Sequence, residues 1–270
     1  MKAFFVFGIT DFQDMMTSII NFSKTEKIWI VLFNCLFKKS QFFYYKKEEI
    51  ISFVKSTLIE NGNLENAKID FYDLNEKEKY EKDFNNKKID VVLIQGISHK
   101  YPKWLPVIGN TPVVHYAWGA DGINNINKSL YKRNIRLNVL RHPEDENLFK
   151  KTGIDSQYFG NFWIESIQNF KKVGYRNIIP DQNKILFMPE TWLFHNNKKW
   201  DPHSVQNMID PVIDMAQKNN YFVIVKKREK GHPVDKECGY TNLIKSKPNM
   251  IIEKDLFFPS SLYLAPFFAN

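Results

Sequence analysis

Cysteine is nearly absent: the 270-residue chain holds two, Cys35 and Cys238. Thiols so far apart supply neither a disulfide framework nor metal-ligand spacing, so no metal site is expected and the fold rests on its core; a single bridge stays compatible with the count. Long apolar runs are lacking too. The first, residues 3–10, is shorter than a membrane span and is closed by Asp11 and Asp14 without a small-residue cleavage site. A cytoplasmic location is expected, with the inner membrane face left open as a peripheral surface. There is no repeat period, low-complexity tract, heptad pattern or Gly-X-Y register, which excludes solenoid, disordered, coiled-coil and collagen classes.

What is present is core material and a modest positive balance. Hydrophobic residues make up 43% and aromatics 15%, and 38 Lys+Arg against 30 Asp+Glu leave +8. A weakly basic surface favours nucleotides, anionic polymers or membrane faces without choosing among them. Nucleic acid is not an expected partner, because no reading module and no basic face interleaved with stacking aromatics is found.

Short β-branched and aromatic runs alternate with longer amphipathic stretches, as parallel sheets with crossover helices require. Strands are predicted at residues 3–7, 28–33, 68–72, 90–94, 112–115 and 136–140. Between the second and third, a helix over residues 46–61 carries Ile50, Val54 and Leu58 on one face and is stopped by Asn61-Gly62. Residues 76–86 are so charged that their helix is expected on the outside with few buried contacts. From residue 153 to 181 no alternation survives, and it resumes with strands at 184–188, 221–226 and 249–252 around a helix near 204–219. Pro211 is expected to kink that helix or mark its start. The expected architecture is α/β with two Rossmann-like lobes and parallel sheets: an acceptor lobe over 1–160, a crossover over 161–181 and a donor lobe over 182–270 that reads as truncated.

In such sheets ligands sit beyond the carboxyl ends of the strands. After the first strand, Gly8 permits a turn and Asp11 either caps the next helix or lines an acceptor cleft. The fifth strand ends in His115-Tyr116-Ala117-Trp118-Gly119, where His115 reads equally as a general base or as a satisfied core histidine. Met188-Pro189-Glu190-Thr191 opens a polar loop whose amides and hydroxyl suit a phosphate, although an ordinary strand exit looks the same. The strongest signal is Lys226-Lys227-Arg228-Glu229-Lys230-Gly231-His232, four cations and a histidine beginning at a strand tip, which suits a diphosphate; the plain alternative is a solvated basic turn.

The order of these motifs, with Glu146 to Ile154 followed by Gly160-Asn161, resembles the GT-B superfamily. Nearest in pattern are CDP-glycerol glycerophosphotransferase-like and related glycosyltransferases, with non-hydrolysing UDP-GlcNAc 2-epimerases beside them. Gly231-His232-Pro233 is similar to the transferases' Lys-Pro-His-Pro segment, whose histidine contacts donor phosphate, and Pro189 to Trp192 is similar to their Pro-Thr-Trp segment with Glu190 inserted. Trp118 stands where the transferases' Trp-His-Gly motif places its catalytic histidine, whereas His115 matches the epimerase pattern; the epimerases' His-Arg-x-Glu-Asn segment is missing.

The resemblance implies an enzyme, a transferase moving a sugar or polyol-phosphate from a nucleotide-diphosphate donor to a glycan or polymer acceptor in surface-polysaccharide assembly. The donor is substrate and no cofactor is expected. Thr191, Lys226, Arg228 and His232 would hold the diphosphate, His115 or Asp11 would act as base, and Gly8, Trp118 and Gly119 would line the acceptor cleft. The alternatives are a UDP-sugar 2-epimerase and a non-catalytic or degenerate glycan- or partner-binding module.

Overall fold

A computed structural model describes residues 1–7, 9–34, 47–73, 75–95, 106–117, 123, 126–127, 131–160, 182–187, 202–225 and 248–252. The chain divides into two compact units, Met1–Lys171 and Lys172–Asn270.

The first unit is built on β1 (Lys2–Val6), β2 (Ile28–Asn34), β3 (Ala67–Asp73), β4 (Val91–Gln95), β5 (Val113–Tyr116), β6 (Ile135–Leu140) and β7 (Ser156–Tyr158). All pair in parallel in the order β3-β2-β1-β4-β5-β6-β7. The chain works outward from β1 through β2 to β3, then returns to the other side of β1 with β4. The boundary between β1 and β4 is therefore the topological switch point, where open α/β sheets leave a crevice at their carboxyl ends. Burial on both faces explains the near-continuous apolar runs that made the first six strands legible. The seventh corrects the expectation that no alternation survives past residue 153: Ser156-Gln157-Tyr158 is short, polar and largely exposed, and joins the sheet beyond β6.

Side-chain alternation divides the core into two layers. Ala3 and Phe5 of β1, with Phe7 just after it, cluster with Trp29, Val31 and Phe33 of β2 and with Tyr80 and Phe84 of α3 (Lys77–Asn85). The expectation that this charged helix has few buried contacts is thereby overturned. Tyr80 is 2% exposed, stacks on Trp29 at 6.3 Å and meets Phe33 edge-on at 5.2 Å. Two large rings suffice to seat a nine-residue helix whose other positions stay solvated.

The opposite layer holds α1 (Ile9–Thr25) and α2 (Lys47–Asn61). Phe12, Met15, Met16, Ile19 and Ile20 repeat at helical spacing and are buried, and Phe12 meets Phe53 of α2 edge-on at 5.6 Å. The second helix ends at Asn61 as the sequence implies, for a steric reason. Gly62 has no left-handed φ; a Cβ there would stand 2.5 Å from Ser23 Oγ, and that hydroxyl accepts the Asn63 amide at 3.0 Å.

After β6 come α4 (Asp145–Phe149) and a 3-10 turn (Lys150–Thr152) closed by Gly153 at φ 70. In the second unit, β8 (Lys184–Phe187), β9 (Phe222–Val225) and β10 (Met250–Ile252) form a parallel sheet in the order β10-β9-β8. The connecting α5 (Pro202–Lys218) buries Ile213 and Ala216. Pro211 lies inside this helix rather than at its start. The helix closes with Asn220 at φ 57, and Tyr221 N–H returns to the Ala216 carbonyl at 2.9 Å.

Candidate functional site

At the switch point, β1 runs directly into α1. Asp11 sits in the first turn of that helix, and its Oδ2 accepts the Phe7 amide at 2.9 Å. The expectation of a cap is corrected in form: the carboxylate reaches back to the strand exit from inside the helix, where a negative charge also suits the amino-terminal dipole. Residues three and four apart share a helix face, so Asp11, Asp14 and Ser18 follow one another along α1. Asp14 is 4% exposed and pairs with Arg141 at the end of β6. Ser18 Oγ and Tyr116 Oη, from the end of β5, share a hydrogen bond of 2.5 Å. Burial raises the Tyr116 phenol above its ordinary value, and the bond to Ser18 opposes the rise.

Gln95 closes β4 and pairs in register with Tyr116, so both side chains lie on the α1 face of the sheet. It is 0% exposed, and among the described residues neither its Oε1 nor its Nε2 has a hydrogen-bond partner. A buried amide without partners is unusual, and this one stands at the carboxyl edge beside the switch point.

His115 precedes Tyr116 and faces the other layer. It is 1% exposed, and its Nδ1 lies 3.0 Å from Asn138 Oδ1 on β6. Burial pulls its pKa from 6.5 to about 4, against the opposing effect of the Asn138 bond, so the ring is neutral at pH 7. The structure does not bring His115 and Asp11 to one face: Tyr116 points to α1, and its neighbour points away.

Gly8, Trp118, Gly119, Thr191, Lys226, Arg228 and His232 lie outside the described residues. Sequence reading missed Asn138, Ser156, Arg141, Asp14 and Gln95. A signal existed for Asn138, since an amide in the otherwise buried end of Ile135–Leu140 needs a partner on a neighbouring strand. None existed for the Asp14–Arg141 pair, whose members are 127 positions apart.

Among the described residues no group of three or more His, Cys, Asp or Glu is placed to hold a metal ion, and no helix is long and apolar enough to cross a membrane. No family model matches the chain, and no curated protein matches it in sequence. Solved structures do match. UDP-GlcNAc 2-epimerase from Methanocaldococcus jannaschii aligns with 98% of this chain and 76% of its own at TM-score 0.55 and 14% identity. The same organism's UDP-GlcNAc 2-epimerase in complex with UDP-GlcNAc and UDP aligns with 93% of this chain and 73% of its own at TM-score 0.54 and 16% identity. At such identity the likeness concerns the fold alone, an α/β architecture on a parallel, Rossmann-like sheet.

Proposed function

We propose that this chain acts on a nucleotide-diphosphate sugar. The observation that carries the reading is the switch point between β1 and β4, edged by buried polar side chains, in a fold shared with a structure that holds UDP-GlcNAc and UDP. Two chemistries fit such a substrate. In 2-epimerisation an acid–base group of the first unit moves a proton at the sugar, and His115, which matches the epimerase pattern, favours this course. In transfer of a sugar or polyol-phosphate to a glycan or polymer acceptor, Asp11 or His115 takes the acceptor proton, with Gly8, Trp118 and Gly119 lining the acceptor side. The basic run Lys226, Arg228 and His232, with Thr191, favours transfer because it supplies charge-assisted bonds to a leaving diphosphate. The nucleotide sugar serves as substrate in both, and no further cofactor is invoked.

The test is incubation of the full chain with UDP-GlcNAc, followed by NMR of the sugar, beside calorimetry with UDP and CDP. Appearance of the 2-epimer supports epimerisation. UDP release that depends on added glycan or polyol-phosphate acceptor supports transfer. Absence of both, together with no heat of nucleotide binding, overturns the enzyme reading in favour of a non-catalytic module.

A further inference from the structure

His115, Asn138 and Ser156 stand on β5, β6 and β7 at paired register positions. Counting hydrogens fixes how each is turned. Ser156 Oγ donates its single hydrogen to the Ile154 carbonyl at 2.9 Å, so toward Asn138 it can only accept. Asn138 Nδ2 is the donor to that hydroxyl, at 3.0 Å. The other half of the amide, Oδ1, therefore faces His115 Nδ1, and an oxygen without a hydrogen requires Nδ1 to donate. A neutral imidazole carries one N–H, so the lone pair resides on Nε2.

The far end of this line is itself anchored. Ile154 N–H donates to Thr152 Oγ1 at 3.2 Å, and that hydroxyl donates to the Phe149 carbonyl at 2.7 Å. Asn138 N–H donates to the Asp155 carbonyl at 2.8 Å. With Asn138 0% exposed, solvent does not compete for its amide.

We propose that Asn138 and Ser156 are positioning residues that hold His115 as the Nδ1–H tautomer and reserve Nε2 as its proton-accepting nitrogen; the role of Nε2 rests on His115 being the acid–base group of the proposed reaction. A neutral amide orients the ring without supplying charge to stabilise an imidazolium. The arrangement therefore selects which nitrogen works while leaving the ring readily deprotonated.

Long-range 1H–15N spectra of the labelled full chain read the tautomer directly. The wild type is expected to show one His115 form, protonated at Nδ1. Ser156→Thr keeps the hydroxyl and is expected to keep that form. Ser156→Ala frees the Asn138 amide to turn its nitrogen toward the ring, and the single form is expected to give way to one with substantial Nε2–H. An Nε2–H wild type, or a Ser156→Ala spectrum identical to wild type, overturns the positioning role. UDP-GlcNAc turnover is followed on the same samples. The stated tautomers with no turnover by any form overturn the acid–base role of Nε2, and loss of turnover in Ser156→Ala with retention in Ser156→Thr supports it.

Discussion

Arg141, the first residue after β6, pairs with the buried carboxylate of Asp14 on α1, 127 positions earlier in the chain. The pair ties the carboxyl end of the sheet to the helix that leaves β1, across the strand order β1-β4-β5-β6. Arg141→Ala is expected to lower stability by about 1–3 kcal/mol, below the usual cost of splitting a fully buried pair because the guanidinium is partly solvated. Urea midpoints of Arg141→Ala, Asp14→Asn and the double variant close a cycle, and strict additivity would show that the pair contributes nothing.

Acid should weaken the first unit through His115. Its folded pKa of about 4 lies below the ordinary 6.5, so between those values the unfolded chain binds a proton that the folded chain excludes. Stability contributed by the neutral ring is fully present above pH 6.5 and falls as the pH drops toward 4, by about 3 kcal/mol in all at about 1.4 kcal/mol per unit. Urea unfolding at pH 7 and 4.5 checks this. His115→Gln should show a smaller loss over the interval than wild type; equal losses would remove His115 as the cause.

How far such features were legible in the sequence depends on the range of the interaction that makes them. The first six strands are read from local composition, because both faces of the sheet are covered and nearly every strand position is apolar. The strand Ser156–Tyr158 was invisible, since an edge position asks little of its side chains and three polar residues satisfy it. The buried contacts of α3 escape the sequence because Tyr80 and Phe84 make them while seven other residues suggest solvent. At the site, residues that follow a strand can be picked out by position and Asn138 by its place in an apolar run, but Asp14 and Gln95 take their meaning from register and packing that no short window contains.

Tyr80 should prove one of the heaviest contributors to the core. It meets Phe5, Trp29, Phe33, Tyr72 and Phe84, and its hydroxyl donates to the Val107 carbonyl at 3.2 Å. Tyr80→Ala is expected to cost about 3–5 kcal/mol and Tyr80→Phe about 1 kcal/mol, separating ring burial from the hydrogen bond. Calorimetric melting of the two variants would contradict the aromatic account if the order were reversed.

Gly62 is expected to resist substitution for want of space rather than for backbone strain. In Gly62→Ala the new methyl meets Ser23 Oγ, which also donates to the Ile20 carbonyl at 2.7 Å and so is not free to swing away. A loss of about 1–3 kcal/mol follows from the overpacking. Adding Ser23→Ala removes the clash, so the double variant should recover part of that loss despite forfeiting the bond to Asn63. A double variant worse than the sum of the singles would point to a backbone cause instead.

Gln95 makes the sharpest test of whether the carboxyl edge is shaped for stability or for a ligand. Both polar atoms of its amide are buried without partners among the described residues, and burying a polar group unpaired costs about 1–3 kcal/mol on mutational scales. Gln95→Met preserves length and much of the volume while removing that cost, so the variant is expected to melt higher than wild type. A core chosen for stability alone would not keep the amide. The same substitution should therefore weaken UDP-GlcNAc binding if the edge beside β1 receives the nucleotide sugar, because a carboxamide offers a hydroxyl-rich ligand both a donor and an acceptor. Thermal melting with and without UDP-GlcNAc measures the two effects together. A higher intrinsic melting point with a reduced ligand-induced rise is the expected result; a lower melting point would show that the amide is satisfied in the native state and that its retention is structural.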